Sequence, residues 1–480
     1  MKSFKFIISL FLGIFTSSFG QDCTCESNFQ WVKKTFEEND AGFQYIIDQK
    51  GKEAYEAHNQ KFLQKFKNIK TDLECTSNLY EWLRFFRSGH IGISNLVYFN
   101  PKENNFKVSE EKVNISLKEF QKYLAKKQDA DLEGVWEISP YKIGIQKIGS
   151  QYKGFIIESE NANWQPLDLK LVINEDQESA VYYRGDKSAQ DIEGIRLIGK
   201  NYLELGQFKL KRIFPKFEDD EADKKAQLYL KSITSGTPFL EQLNENTLLL
   251  RVPSFIGEHK KAIDSVLVAN KTKLESTENL IIDLRNNGGG SDHSFAEILL
   301  YLYTNPIRTI GAEFYSTPLN NRRFLDFYEN AEKYNFSEKQ KNLFKNYYDK
   351  LSANLGKFIS LHDKTISETK YEKVLPYPKQ VAIIINNNNA STTEQFLLAA
   401  KQSKKVKLFG TTTAGALDVS NMIYVNNPCN EFQLGYCISK SLRIPEMAID
   451  EKGIQPDYYI DKTIPPYEWV SFVNDILNLK

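Results

Sequence analysis

The sequence predicts an α/β domain with mostly parallel strands, preceded by a helical region and a small antiparallel β region. Three observations carry this. From residue 247 onward, short apolar runs alternate with stretches of helical spacing, the pattern of an α/β domain. Between residues 134 and 213, short alternating runs are separated by Gly, Asn and Asp, as in a small sandwich or barrel. Between residues 26 and 87, aromatic and aliphatic residues recur at helical spacing.

Taken in order, the chain begins with the pattern of a secretory signal at residues 1–20. Lys2 and Lys5 precede a short apolar core, and Ser18-Phe19-Gly20 offers a small-x-small cleavage site. That core is too short to span a bilayer, and no later segment is apolar enough, so export to a periplasmic or extracellular location is expected. The next unit, residues 21–112, carries helical stripes through Phe29, Val32 and Phe36, then Tyr55, Phe62 and Phe66, then Leu79, Trp82 and Phe86. The last helix stops at Ser88-Gly89-His90, where Gly89 is a natural terminator. His90 thus sits on a turn before the alternating run Ile91-Gly-Ile93-Ser94. Residues 113–215 form the β unit, and 216–240 a charged linker. Residues 241–480 form the α/β unit, interrupted at 317–363 by a polar and aromatic helical insert placed to cover a cleft.

Composition narrows the function. The chain has 480 residues, with 62 Lys+Arg against 62 Asp+Glu, so no net field points to nucleic acid or an anionic membrane. Five histidines are too few for a histidine-rich metal centre, and Cys23-x-Cys25 has no second pair at zinc-site spacing. No metal or cofactor is expected. In an oxidising compartment the five cysteines should pair where geometry allows, leaving one thiol over. The expected bridges are Cys429–Cys437, closing a short hairpin, and Cys75 with Cys23 or Cys25.

The strongest chemical signal is residues 381–400. An apolar, β-branched run ends in four asparagines, and helical spacing starts after Ser391. Ser391 therefore lies on a strand-to-helix corner beside the free N–H groups of a new helix, a ready site for an oxyanion. Ser391-x-x-Glu394 is equally a capping box, and a serine there can be a cap and nothing more. Upstream, Asp283-Leu-Arg285-Asn-Asn287-Gly288-Gly289-Gly290 is a strand followed by a glycine loop, which lets bare backbone approach a substrate. It lacks the spacing of a dinucleotide fingerprint and the Lys-Ser/Thr of a phosphate loop. His293 just beyond is a possible base or a residue of the next helix's first turn.

Asp283-Leu-Arg-Asn-Asn-Gly-Gly-Gly290, Asn389-Ala-Ser391-Thr-Thr-Glu394, Gly410-Thr-Thr-Thr-Ala-Gly415 and Gly453-Ile-Gln-Pro-Asp457 occur in one order. That order resembles the carboxyl-terminal-processing, or tail-specific, serine peptidases, over residues 240–465. Ser88-Gly-His90-Ile resembles the histidine motif of their tricorn-like branch. The resemblance implies a ClpP/crotonase-like catalytic core and a peptide or protein substrate. Ser391 falls on the nucleophile. The lysine base of the main branch is replaced by Ala416, which leaves His90 as base, with Asp450, or Glu451 second, as the orienting acid and Ser88 as a supporting hydrogen-bonder. Thr392 and Gly289, with Gly288 close behind, are the expected oxyanion donors. Asp283, Arg285, Asn287, Gly290 and Glu394 support the motif. The β unit stands where this family places a PDZ module, without a glycine-containing carboxylate-binding loop. Two other readings share the fold: a catalytically inactive peptide- or glycan-binding protein, and an esterase or amidase acting on small molecules.

Overall fold

The computed structural model describes residues 23–96 and 110–479; the expected signal segment lies outside them. The core is a six-stranded sheet in the order Phe239–Asn244, Thr247–Arg251, Asn279–Asp283, Gln380–Ile385, Val406–Gly410, Tyr458–Tyr459. The first pair is antiparallel and the rest run parallel. Its central strands are apolar on both faces because both are covered. Leu250, Ile282 and Ile383 pack against helices that supply Ile263, Ile298 and Phe396. Leu249, Ile281 and Ile384 meet Trp469 and Val473 of the C-terminal helix Trp469–Leu477. The architecture is a mixed α/β core, since a second, antiparallel sheet joins it. In that sheet the long strand Phe432–Ser441 pairs with Gly92–Asn95, Ala312–Tyr315 and Val419–Asn426.

The helices Cys25–Asn39, Phe43–Lys50, Lys52–Phe66 and Asp72–Leu83 bury an aromatic core of Phe29, Phe36, Phe66, Trp82 and Phe86. Phe324 and Leu351, from the insert helices Pro318–Glu329 and Glu338–Ser352, belong to this same cluster, as do Leu434 and Tyr436. Thr317 Oγ1 also donates to Asn39 Oδ1 at 2.6 Å, and Asn320 Nδ2 to the Asn39 carbonyl at 2.8 Å. The insert is therefore a packed wall of the helical region, where its aromatic stripe finds its partner.

Residues 134–214 form nine antiparallel strands in one sheet. Its two edge strands, Ala189–Glu193 and Ile195–Ile198, are separated only by Gly194, so the sheet curls into a nearly closed barrel. Inside it Lys170 is fully buried among the rings of Tyr141, Trp164 and Tyr182, and burial pulls its ammonium down to about 7.

One expected bridge forms, Cys75 with Cys25, and the other, Cys429–Cys437, does not. Cys23 bonds Cys429 and Cys25 bonds Cys75, while Cys437 is a buried free thiol. Cys429 lies in the turn before Phe432, and Cys437 five residues into the strand, roughly 17 Å beyond Phe432 at the usual rise. A disulfide needs Cα atoms within about 7 Å.

Candidate active site

The strand Gln380–Ile385 delivers the chain to a corner built by asparagines. Asn389 Oδ1 accepts from the Asn386 N–H at 2.7 Å, and Asn389 Nδ2 donates to the carbonyls of Leu284 (2.5 Å) and Asn287 (3.1 Å). Asn389 thus welds the seryl loop to the glycine loop. Ser391 has φ 58° and ψ −125°, a left-handed conformation that costs a non-glycine residue about 1–3 kcal/mol. Its surroundings hold it there: the Ser391 N–H donates to the Ala416 carbonyl (2.9 Å) and to Glu394 Oε2 (3.3 Å). Glu394, fully buried one turn along the helix Thr392–Ala400, also accepts from Thr413 Oγ1 (2.5 Å), the Gly415 N–H (2.9 Å) and the Ala416 N–H (2.9 Å). Burial raises its carboxyl pKa, and these donors oppose the rise.

The glycine loop closes against this corner. Gly289 has φ 105°, and a Cβ there would lie 2.8 Å from the Ala390 carbonyl oxygen and from Ser391 Cβ, so no side chain fits. Asn287 Oδ1 accepts from the Gly289 N–H (3.0 Å) and from Thr393 Oγ1 (2.8 Å). The Gly289 N–H, the expected oxyanion donor, is therefore engaged within the loop. Among the described residues, the N–H groups of Gly288, Gly290 and Thr392 donate to nothing. Gly290 supplies a carbonyl to Thr392 Oγ1 at 3.0 Å. Asp283 and Arg285 sit away from Ser391: they form a bidentate buried pair, and Arg285 Nη1 continues to the Pro466 carbonyl. His293 is exposed on a single-turn helix.

His90 reaches the same corner from the other end of the chain. Antiparallel pairing of Gly92 with Gly435 carries the histidine turn onto the second sheet. Gly89 then packs on Ala416 so tightly that a Cβ would lie 2.4 Å from the alanine Cβ. Since the Ala416 carbonyl holds the Ser391 N–H, the chain Ser391–Ala416–Gly89–His90 is continuous. His90 is held at φ 55°. Arg87 braces it from below, pairing with Asp40 through two bonds and donating to the His90 carbonyl at 3.1 Å. Breaking a buried pair of this kind typically costs about 3–5 kcal/mol.

The imidazole Nδ1 lies 2.7 Å from the Val419 carbonyl oxygen. A carbonyl only accepts, so Nδ1 carries the proton and Nε2 keeps its lone pair. Burial lowers the His90 pKa, the carbonyl bond raises it, and the Arg87 charge lowers it; the net direction is down. The ring is therefore neutral at neutral pH.

Neither predicted acid bonds the imidazole. Asp450 Oδ1 accepts from the N–H groups of Leu417 (2.6 Å) and Asp418 (2.7 Å), and Oδ2 from that of Val419 (3.2 Å). Glu451 Oε1 accepts from the Ser88 N–H at 2.5 Å. Both carboxylates thus hold backbone on either side of His90, and Ser88 contributes its amide. Asp450 is pushed up to about 6 by burial first and by the neighbouring Asp418 charge second. Asp418 in turn accepts from the Asp450 N–H (2.8 Å) and from Arg443 Nη2 (3.0 Å). Sequence reasoning missed Asp418, Arg443, Asp40 and the Val419 carbonyl. Only the last touches the ring, and a backbone carbonyl leaves no mark in a sequence.

Residues 246–460 match the model of peptidase family S41. No curated protein matches the chain. Among solved structures, mature CPAF aligns over 95% of this chain and 96% of its own, at 12% identity and a TM-score of 0.50. CPAF complexed with lactacystin aligns over 95% and 97%, at 13% identity and a TM-score of 0.51. The photosystem II D1 C-terminal processing protease aligns over 94% and 97%, at 10% identity and a TM-score of 0.37. At these identities the CPAF structures speak to the fold.

Proposed function

We propose, from the match of residues 246–460 to the model of peptidase family S41, the serine-type peptidases, that this chain is an exported endopeptidase whose nucleophile is Ser391 and whose base is His90. In this reading it falls in the histidine-using, tricorn-like branch on a ClpP/crotonase-like core. The observation that carries it is the continuous contact from Ser391 through Ala416 and Gly89 to a histidine whose Nδ1 is locked by a carbonyl.

The roles follow from the atoms. Nε2 of His90 takes the Ser391 proton as Oγ attacks the peptide carbonyl, and the imidazolium returns that proton to the departing amine. The remaining acyl-enzyme is hydrolysed by a water activated by the same nitrogen. The Thr392 N–H, pointing out of its helix start, with an N–H of Gly288 or Gly290, receives the oxyanion; each such donor typically contributes about 3 kcal/mol to the transition state. The Val419 carbonyl takes the place of an orienting carboxylate. Asp450 is then a positioning residue that acts through the 417–419 backbone, and Glu451 one that acts through Ser88. Two disulfides support an oxidising compartment. Among the described residues no helix is long and apolar enough to cross a membrane.

A fluorophosphonate tests this directly. Wild-type protein should take up one label, on Ser391 by peptide mapping, and Ser391→Ala none. A folded wild-type protein that takes no label would overturn the reading.

A further inference from the structure

A cleft of about 550 Å³ opens at the carboxyl ends of the parallel strands, beside the seryl and glycine loops and separate from the residues assigned a chemical role. Two general rules of ligand placement coincide there. Open α/β sheets bind ligands beyond their strand ends, and ligand sites favour junctions between structural units. One wall is the helix Glu221–Thr234, through Tyr229 and Ile233. The same helix holds the barrel, packing Ala226 and Leu230 on Ile198 and Tyr202.

The lining has a definite chemistry. Its one charged side chain, Arg285, is spent: Asp283 and the Pro466 carbonyl take its N–H groups, and its guanidinium lies 5.3 Å from the Tyr229 ring and 5.6 Å from that of Trp469. The rim is uncharged and polar. The side chains of Asn387, Thr411 and Thr412 hydrogen-bond to no other described residue, and Tyr459 stands 66% exposed at the mouth. Position adds the rest. Asn386 and Asn387 open the loop that ends in Ser391, and Asn286 opens the loop that continues into Gly288, Gly289 and Gly290. Asn286 and Asn386 are bonded to each other across the floor.

We infer that this cleft is an extended subsite that holds an uncharged segment of the substrate polypeptide while a neighbouring peptide bond lies at Ser391. An extended chain advances about 3.4 Å per residue, so a segment leaving the seryl loop crosses the Asn386–Asn387 rim within a few residues. The free amide and hydroxyl groups suit successive peptide N–H and C=O groups, and the aromatic wall suits an apolar side chain. With no free charge available, a carboxylate or ammonium placed there would be desolvated without a partner. The cleft therefore selects against charged segments. This depends on Ser391 being the nucleophile, and the test separates the two.

The test uses the full mature chain with Tyr459→Ala and Asn387→Ala, both exposed and outside the catalytic machinery, with thermal unfolding as a check of folding. Two rates are read: cleavage of casein, an extended protein substrate, and labelling of Ser391 by a small fluorophosphonate that does not reach the cleft. The expected result is a KM for casein raised about ten-fold in each variant, equivalent to about 1.4 kcal/mol of binding, with the labelling rate unchanged. Wild-type KM in both variants, with normal labelling, overturns the subsite. So does a neutral oligosaccharide, maltohexaose or chitohexaose, that binds the wild type and fails to compete with casein. Absence of labelling in the wild type removes the nucleophile and the subsite together.

Discussion

The two halves of the proposed active centre are built in opposite ways. The seryl half is local: one strand, one corner, one helix and one glycine loop, all from the parallel sheet, with strain at Ser391 held by the buried Glu394 and the Asn389 bridge. The histidyl half is imported. His90 is carried in by a short antiparallel pairing with Phe432–Ser441 and fixed by Arg87, the Val419 carbonyl and backbone clamped by two carboxylates. The first half resists perturbation because many elements share it. The second depends on a few contacts and is where activity can be lost without loss of the fold.

Gly89→Val should show this most sharply. The added carbons meet Ala416, so the turn lifts and His90 leaves the seryl corner. Peptidase activity should fall by about 10³-fold or more, the scale of losing a catalytic base, while circular dichroism remains that of the wild type. Retained activity would mean that the turn has another route to Ser391.

Asp450→Asn should act next. Its amide keeps one acceptor oxygen but sets a donor NH2 where the second oxygen accepted a backbone N–H, so the clamp loosens, the Val419 carbonyl shifts and kcat should drop about ten-fold. The pH profile separates positioning from a purely structural role. In the wild type the 417–419 clamp needs ionised Asp450, so activity should fall as pH drops through about 6. In Asp450→Asn that limb should vanish, leaving the one set by His90, which burial holds below the ordinary imidazole value. Stability runs the other way. The folded pKa of Asp450, about 6, lies above its unfolded value near 3.9. Its protonated form is thus favoured in the fold, and its contribution to stability is full below about pH 4 and declines as pH rises to 6. An Asp450→Asn variant whose acid limb stays at 6 would show that the clamp is not the titrating group.

The smallest catalytic effect should come from Cys429→Ser. The Cys23–Cys429 bridge ties the amino-terminal segment to the hairpin between Val419–Asn426 and Phe432–Ser441, a scaffold role far along the strand from His90. Stability should fall by about 2–4 kcal/mol, read as a lower unfolding midpoint, with kcat/KM within two-fold of the wild type at low temperature.

The same contrast explains what could be read from the chain alone. The seryl half was legible because its signals are short-range: a β-branched run, a break at Asn386–Asn389, helical spacing after Ser391, and glycines where a Cβ would meet Ser391. The antiparallel β unit was legible from alternating runs, which left sandwich and barrel equally open. The histidyl half was half legible. Gly89 marked the turn, but the pairing of Gly92 with Gly435 spans most of the chain and carries no local signature. The Val419 carbonyl is backbone, and carboxylates such as Asp450 and Glu451 can look alike in sequence whether they grip an imidazole or an amide. Cys437 failed for a similar reason: eight residues of separation suggest nearness, and a straight strand denies it.

The central claim is that a neutral imidazole at His90, with its lone pair on Nε2, activates Ser391. The most direct measurement is the rate of fluorophosphonate labelling of Ser391 against pH, in wild type and in His90→Ala. The account predicts that wild-type labelling rises with pH through a pKa below the ordinary imidazole value and that His90→Ala is slower at pH 7 by about 10³-fold or more. Equal rates in the two proteins would contradict it.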